Sequence, residues 1–550
     1  TARDSNFALA YYHRAMVLGW SHVGDSLHLK LASHAASLAN RLPPRERELV
    51  LGYADLTRAL VSDAASDSTT ARAKFSSAQA HYLAAIARDS GDAESWYGLG
   101  DAYWHSKPDG WGKPATVQNW TRALRAFERT LDVDSTFYLA YAHKIDIYRQ
   151  AAGQTYNVML EGDSLRILDS AVMQRPQVVA QLKAAQRAAY ELALRDARAW
   201  IAAAPATSAY FQLALIYFGQ DRPDSAAAVL REAMARPETH SAQTPFQIAY
   251  ADSRVDPHAG LRSLRAALKT ADERGLESDG TNNLMEFLFG AGSSAAVLGS
   301  FADVDSVAAL ANRTLPATAG FGLTDDPLAR LWPVGVRLAA GVPARQVAAA
   351  LASSIASLER LPATGSAKYY RMQAAPALYV AYLATHDARM LALLRKWRGS
   401  QPQHSELEAL EALAANDTAK AARLAKSFPS PDSLRAAHAP IGLPRWIARA
   451  QVYEALGDPR AALAAYEMLD PKMLAPMGQA DPSWPLYARS FLWRGQLFER
   501  VNDRTSAVSA YRQFLALWAD ADSSLDSQRE QARAALRRLG AAQVIADRSS

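Results

Sequence analysis

The chain has 550 residues, of which 49% are hydrophobic and 21% charged, with a formal net charge of +5. A chain of this length is too long for a single compact core, so we expect several domains or an extended repeat array. Its composition can bury a large apolar surface, so we do not expect a disordered chain. The positive excess is small and interleaved with acidic residues, which argues against a concentrated nucleic-acid-binding surface.

Cysteine is absent, which removes disulfides, thiolate metal sites and thiol nucleophiles. Its absence is compatible with an oxidising compartment, so an extracytoplasmic location is favoured slightly over a cytoplasmic one. The sequence contains no uninterrupted apolar run of about 18 residues, so no transmembrane segment is predicted. Because the chain starts at Thr1 without a leader, we expect that a leader or anchor was removed or that the chain is part of a longer polypeptide.

The first clear repeat follows a Ser/Asp/Thr-rich stretch, residues 61–70, that is predicted to be an exposed loop. Apolar and small residues then recur at helical spacing on both sides of a short turn: Ala78, Tyr82, Ala85, Trp96, Leu99, Gly100 and Tyr103. This spacing predicts two helices, and Gly100 allows a neighbouring helix to approach the second one closely. The pattern resembles the tetratricopeptide repeat, a helix–turn–helix unit of about 34 residues.

The segment after Tyr103 departs from this repeat. About eleven residues too many separate Tyr103 from Ala123, and the excess, residues 106–119, has Pro or Gly at four positions ("SKPDGWGKPATVQN"). Because these residues interrupt a helix, the sequence predicts a loop inserted between the two helices of the repeat. Another copy follows, with Tyr141 and Tyr148 at first-helix positions.

Further copies of the repeat lie later in the chain. The spacing returns weakly in Tyr210, Ala214, Tyr217, Ala226 and Ala233, and clearly in Trp446, Ala450, Tyr453, Gly457, Ala462, Tyr466, Phe491, Gly495, Phe498, Ala507 and Tyr511. Several copies have Gly-Asp or Asn-Asp at the turn between helices, whereas strand signals are nearly absent. We therefore predict an all-α, TPR-like α-solenoid, a right-handed superhelix of antiparallel helix pairs, with repeats in 1–240, a divergent helical middle in 241–435 and repeats in 436–550.

Motifs for catalysis, cofactors and metals are not found. Kinase signatures, a phosphate-binding loop, GxSxG and HExxH are all missing. Residues 290–295, "GAGSSA", lack a surrounding βαβ unit and are interpreted as a small-residue helix contact or break. Histidines 13, 22, 28 and 34 do not form pairs four residues apart, as a metal site on one helix requires. The sequence therefore predicts no catalytic residues, no cofactor and no metal.

The candidate binding residues surround the first repeat. In TPR arrays the first helix of each unit lines a concave groove, and the resemblance places there five residues from one helix and two from the next: Glu94, Tyr97, Asp101, Trp104, His105, Asp146 and Arg149. The inserted loop carries Trp111 and leads to Trp120. Aromatic rings beside carboxylates and an arginine can hold a peptide or a sugar-like ligand. The alternative is that Trp104, Trp111 and Trp120 fold the insertion onto its own repeat.

Both ends of the sequence resemble helical-repeat regions of bacterial regulators. Residues 6–20, "NFALAYYHRAMVLGW", and the stretch from "YARSFLW" to "DADSSL" are similar to the C-terminal repeat regions of membrane-anchored serine/threonine kinases and related signalling proteins. The resemblance implies a catalytic or DNA-binding domain upstream, but no effector motif occurs here. We therefore predict a non-catalytic scaffold for a protein or peptide partner. The alternatives are an extracytoplasmic small-ligand or glycan binder and a helical-toroid glycoside hydrolase.

Overall fold

The computed structural model describes most of the chain. The described residues are 6–21, 26–64, 67–153, 157–168, 175–239, 241–274, 284–314, 326–361, 365–398, 405–428, 443–469 and 481–541. Within them the regular structure is helical apart from one β-hairpin, which confirms the all-α prediction. None of the described helices combines the length and hydropathy that crossing a membrane requires.

The described residues form two compact units that divide after Ser241. The first unit contains α1 Ala8–Ser21, α2 Ser26–Ser37, α3 Pro44–Ala64, α4 Ser68–Arg88, α5 Ala93–His105, α6 Pro114–Val133, α7 Tyr138–Ala152, β1 Val158–Glu161, β2 Ser164–Ile167, α8 Pro176–Ala203, α9 Thr207–Gly219 and α10 Pro223–Met234. The two strands pair antiparallel, with Val158 opposite Ile167. Each of α1, α3, α5, α7 and α9 packs against the helix that follows it.

The second unit is also a succession of short helices. It contains α11 Thr244–Val255, α12 Pro257–Arg274, α13 Leu284–Ala291, α14 Ser293–Val297, α15 Phe301–Thr314, α16 Pro327–Ala340, α17 Ala344–Glu359, α18 Gly365–Gln373, α19 Ala375–Thr385, α20 Ala388–Arg398, α21 Ser405–Ala414, α22 Thr418–Lys426, α23 Leu443–Ala455, α24 Pro459–Glu467, α25 Pro485–Arg500, α26 Arg504–Leu517 and α27 Asp526–Arg538. One hydrophobic cluster of this unit joins buried residues that the structure describes between Leu328 and Leu497. The "GAGSSA" stretch spans the break between α13 and α14, as the sequence indicated.

The Asn-Asp and Gly-Asp dipeptides explain the tight turns between paired helices. Asp417, Asp458 and Asp503 are N-caps whose carboxylates accept hydrogen bonds from backbone N–H groups in the first turn of α22, α24 and α26. The residue before each aspartate has a positive φ, which Asn and Gly tolerate best. A left-handed residue followed by a cap thus ends one helix and starts the next, which turns the chain back on itself.

Glycines on the first helix of a pair make room for aromatic rings of the second helix. A Cβ atom on Gly100 would lie 2.5 Å from the Phe127 ring, and one on Gly495 would lie 2.5 Å from the Tyr511 ring. Both glycines therefore allow the ring to rest directly on the helix backbone. The Gly–ring separation along the chain is eleven residues longer in the first pair (27 against 16), which matches the predicted length of the insertion.

Two predicted loops are shorter than expected. The prediction of a loop over 106–119 is wrong at its C-terminal end, because Pro114 begins α6. Proline suits the first helical position, and Asp109 accepts hydrogen bonds from the N–H groups of Ala115 and Thr116 at 2.8 and 3.0 Å. The predicted loop at 61–70 is also mostly helical: α3 continues to Ala64 and α4 begins at Ser68.

Candidate functional site

The first helices of the pairs in the first unit form one layer. Helix α3 contacts α1 and α5, α5 contacts α7, and α7 contacts α9. We call α1, α3, α5, α7 and α9 the first-helix layer. All the sequence-predicted site residues except Trp111 and Trp120 lie on α5 and α7 within it.

Three side chains converge between α5 and α7. Asp101 Oδ1 lies 3.2 Å from His105 Nε2 and 3.2 Å from His143 Nε2. Asp101 and His105 are four residues apart on α5 and so share a face, whereas His143 comes from α7. Among the described residues this is the one group of three or more His, Asp or Glu side chains whose donor atoms all lie within 4.8 Å of one another.

Burial and charge oppose each other at this cluster. Burial raises the pKa of Asp101, but the neighbouring His105 and His143 lower it more strongly, so its pKa is below the ordinary value. Burial lowers the pKa of His143, but Asp101 raises it more strongly, so its pKa is above the ordinary value. The cluster therefore favours an ionised carboxylate facing the two imidazoles.

Aromatic rings surround His143 and correct one expectation. The Tyr97 ring stacks on His143 with centroids 5.9 Å apart, and Phe127 packs at 5.2 Å. Tyr97 and Trp104 are 5% and 9% exposed, so the prediction that both rings face an open groove is wrong. They are buried because the rings of α6 and α7 pack against them, which the helical position of Tyr97 and Trp104 does not reveal.

Trp104 of α5 and Trp111 of the inserted loop both pack against Trp120 of α6. Trp120 is fully buried, with its ring centroid 5.4 Å from that of Trp104 and 5.9 Å from that of Trp111. Trp111 is 47% exposed, and the Lys107 ammonium lies 4.2 Å from its ring centroid. This packing is the kind that the alternative describes, in which the rings fold the insertion onto its own repeat. Of the three rings, Trp111 has the large exposed surface, and the binding role of all three stays a prediction.

The remaining predicted residues lie at the two sides of the cluster. Tyr12 donates a 2.8 Å hydrogen bond to Glu94, whose pKa burial raises above the ordinary value. Asp146 and Arg149 form a partly exposed ion pair with a 3.2 Å contact. Gln212 of α9 accepts a hydrogen bond from Arg149 and donates one to Asp146, which joins α7 to α9 through polar groups.

His143 was not predicted as a site residue. The first four histidines of the chain do not pair at helical spacing, and the spacing of Asp101 and His105 indicated a binding face and not a ligand pair. A signal was available, because His143 stands two residues after Tyr141, where Gly98 stands two residues after Trp96 in the preceding copy. A histidine in place of a small residue that is buried in the preceding copy indicates an imidazole at a contact between helices.

Comparison with known proteins identifies one repeat. Residues 207–240, which contain α9 and α10, match the family model of the tetratricopeptide repeat. None of the curated proteins matches the sequence. Among solved structures, the APC/C hetero-tetramer Cut9–Hcn1 is similar, with 11% sequence identity over 98% of this chain and 94% of that chain and a TM-score of 0.33.

Two further structures show similar low scores. Naa15/Naa10 bound to HypK-THB has 14% identity over 96% of this chain and 78% of that chain, with a TM-score of 0.23. The TPR domain of P58(IPK) has 11% identity over 90% of this chain and 99% of that chain, with a TM-score of 0.19. Because all three TM-scores are low, the assignment of an all-α helical-repeat fold rests on the helix pairs and on the family match to α9 and α10.

Proposed function

We propose that the first unit is a non-catalytic scaffold that binds a protein or peptide along its first-helix layer. The match of α9 and α10 to the tetratricopeptide repeat supports this proposal, because stacked repeats of this kind present an extended binding surface. The observation that carries it is the partly exposed polar row on consecutive first helices: Glu94, Asp101, His105, His143, Asp146, Arg149 and Gln212.

The chemistry of this row favours a polar, charged peptide. Its carboxylates suit lysine or arginine side chains of a partner, and Arg149 suits a carboxylate. The rings of Tyr97, Trp104 and Trp120 are buried, so they are not available to a partner. Their role in this proposal is to position the polar row. We therefore assign the contacts to Glu94, Asp101, His105, Asp146 and Arg149, with Trp111 at the margin.

A displayed random-peptide library, selected on the whole chain, tests the proposal. We expect selected peptides to lose at least about tenfold in affinity on Asp146→Ala or Arg149→Ala, equivalent to about 1.4 kcal/mol, because the interface loses a charged contact. Arg129→Ala and Asp132→Ala are matched controls, since this exposed Arg–Asp pair lies on the second helix α6. Equal affinity for the Asp146, Arg149 and control variants would contradict the proposal.

We further propose that the chain is the sensory or regulatory part of a larger bacterial signalling protein. The similarity of residues 6–20 and of the stretch ending in "DADSSL" to repeat regions of such proteins supports this idea. Sequencing the complete open reading frame tests it: an adjoining kinase, cyclase or DNA-binding domain is expected, and a reading frame that encodes no such domain would overturn it. The glycan-binding alternative stays a prediction that now depends on Trp111.

A further inference from the structure

We propose that Asp101, His105 and His143 form a binding site for a borderline divalent cation of the Zn²⁺ class. Two imidazoles and one carboxylate are a ligand set that such cations accept, commonly with a fourth position left to water. The site is composed of side chains from two neighbouring first helices, so a bound ion would join α5 to α7.

The distances agree with coordination. Ligand atoms about 2.05 Å from a tetrahedral ion lie about 3.3 Å from one another. Both Asp101–histidine separations are 3.2 Å, and no pair of donor atoms in the group is more than 4.8 Å apart. A small rotation of either imidazole closes the remaining side of the triangle, because both Nε2 atoms already lie 3.2 Å from the same carboxylate oxygen.

The carboxylate oxygen at the centre supplies a second observation. Asp101 Oδ1 is buried, and the two Nε2 atoms that lie 3.2 Å from it are not aligned for good hydrogen bonds. A buried, unsatisfied acceptor is costly. A cation shared with the two imidazoles would satisfy this oxygen.

The surroundings suit an ion that keeps one open position. The His143 ring is held between Tyr97 and Phe127, which fixes its direction. The Tyr97 hydroxyl forms a 3.4 Å hydrogen bond with His143 Nε2, and when that nitrogen binds an ion the hydroxyl is placed to hydrogen-bond a water molecule on the ion instead. The side chains of Asp101, His105 and His143 retain 14%, 32% and 21% exposure, so solvent reaches the cluster.

Direct titration of the untagged whole chain with Zn²⁺ tests the site. After removal of metals with a chelator, we expect one Zn²⁺ per chain and an upward shift of the melting temperature. Asp101→Asn, His105→Gln and His143→Gln should each weaken binding at least about tenfold, since even the loss of an outer-shell partner costs that much. His258→Gln is the control, because His258 is exposed on α12 of the second unit. Mg²⁺ and Ca²⁺ should not compete, because they prefer oxygen ligands.

Co²⁺ supplies a spectroscopic readout that a merely structural ion pair would not give. We expect a visible absorption band typical of low-coordinate Co²⁺ in the wild-type chain and in His258→Gln, and its loss in the three ligand variants. Zn²⁺ binding that persists unchanged in these variants would assign the ion to other histidines and overturn the proposal. The wild-type chain also tests the proposal without any variant. If Zn²⁺ did not shift its melting temperature and Co²⁺ gave no visible band, the proposed site would be overturned, whether or not a variant folds.

Discussion

Glu406 is a fully buried carboxylate that two arginines neutralise. Arg449 donates to it at 2.7 Å and Arg445 at 3.0 Å, and the Arg449 side chain is itself only 4% exposed. Burial raises the pKa of Glu406, but the two arginines lower it more strongly, so its pKa in the folded chain lies below the ordinary value. Removing this charge leaves Arg449 buried without its carboxylate partner.

We expect Glu406→Gln to lower the free energy of unfolding of the second unit by about 3–5 kcal/mol. Because the folded pKa is lowered, the wild-type contribution is full above the unfolded pKa of about 4.3 and is lost as pH falls through the folded value. The difference between variant and wild type should therefore shrink in acid. Denaturant unfolding at neutral pH and at about pH 3 measures both effects.

The matched control for that experiment is Glu411→Gln on the same helix, α21. Glu411 pairs with Arg395 in a solvent-exposed contact, and such pairs contribute about 0–1 kcal/mol. Equal destabilisation by Glu406→Gln and Glu411→Gln would show that the buried arginines do not depend on Glu406.

At the scale of single residues, the sequence predicted contacts within a helix better than contacts between helices. The four-residue spacing of Asp101 and His105 correctly placed both on one face of α5. The burial of Tyr97 and Trp104 was missed, because it depends on rings that α6 and α7 bring from elsewhere in the chain. Their role in binding remains a prediction.

At the scale of elements, glycines on the first helix of a pair determine how closely the second helix can approach it. Gly100 receives the Phe127 ring in the first unit and Gly495 receives the Tyr511 ring in the second. The sequence predicted these elements because glycine and aromatic residues recur at fixed helical positions. It did not predict where the insertion ends, because a proline that interrupts a helix also starts one, as Pro114 does.

We expect Gly100→Ala to destabilise the α5–α6 pair by about 1–3 kcal/mol, because the added methyl group must displace the Phe127 ring. Hydrogen exchange of the whole chain should show faster exchange in α5 and α6 and no change in α25 and α26. Gly495→Ala should give the reverse pattern, so each variant is the control for the other.

Gly91→Ala is the neutral reference for both glycine substitutions. Gly91 is exposed in the turn before α5, and its added Cβ would meet only the side chain of Asp89. A change within about 0.5 kcal/mol is expected. If Gly100→Ala and Gly91→Ala behaved alike, the close approach of Phe127 to the α5 backbone would not contribute to stability.

At the scale of the whole molecule, periodicity was sufficient to predict the fold class. Apolar residues at helical spacing identified the helices, and aspartate caps after Asn or Gly identified several turns. The β-hairpin at Val158–Ile167 was not predicted, because eight residues of strand are too short to give an alternating signal among helices. The division into 1–240, 241–435 and 436–550 remains a prediction. One hydrophobic cluster contains described residues from both sides of the last boundary, among them Phe428 and Leu443.

The division after Ser241 predicts that residues 1–241 fold without the rest of the chain. In helical repeats each pair is stabilised by its neighbours, so a fragment that ends after a complete pair keeps its interfaces. The end is also held locally, because the Thr207 hydroxyl donates to the carbonyl of Thr239 at 3.0 Å. Circular dichroism should show a highly helical fragment with a cooperative thermal transition.

A fragment that ends at Gly219 is the control for this prediction, because it keeps α9 but removes its partner α10. The second-helix residues Ala226 and Leu230 are buried in the pair, and their loss uncovers the apolar face of α9 that includes Tyr210. We expect the 1–219 fragment to bind a hydrophobic dye and to melt at a lower temperature than the 1–241 fragment. If the 1–241 fragment were also unfolded, the first unit would require the second for stability, and the nearest-neighbour description of its repeats would fail at this boundary.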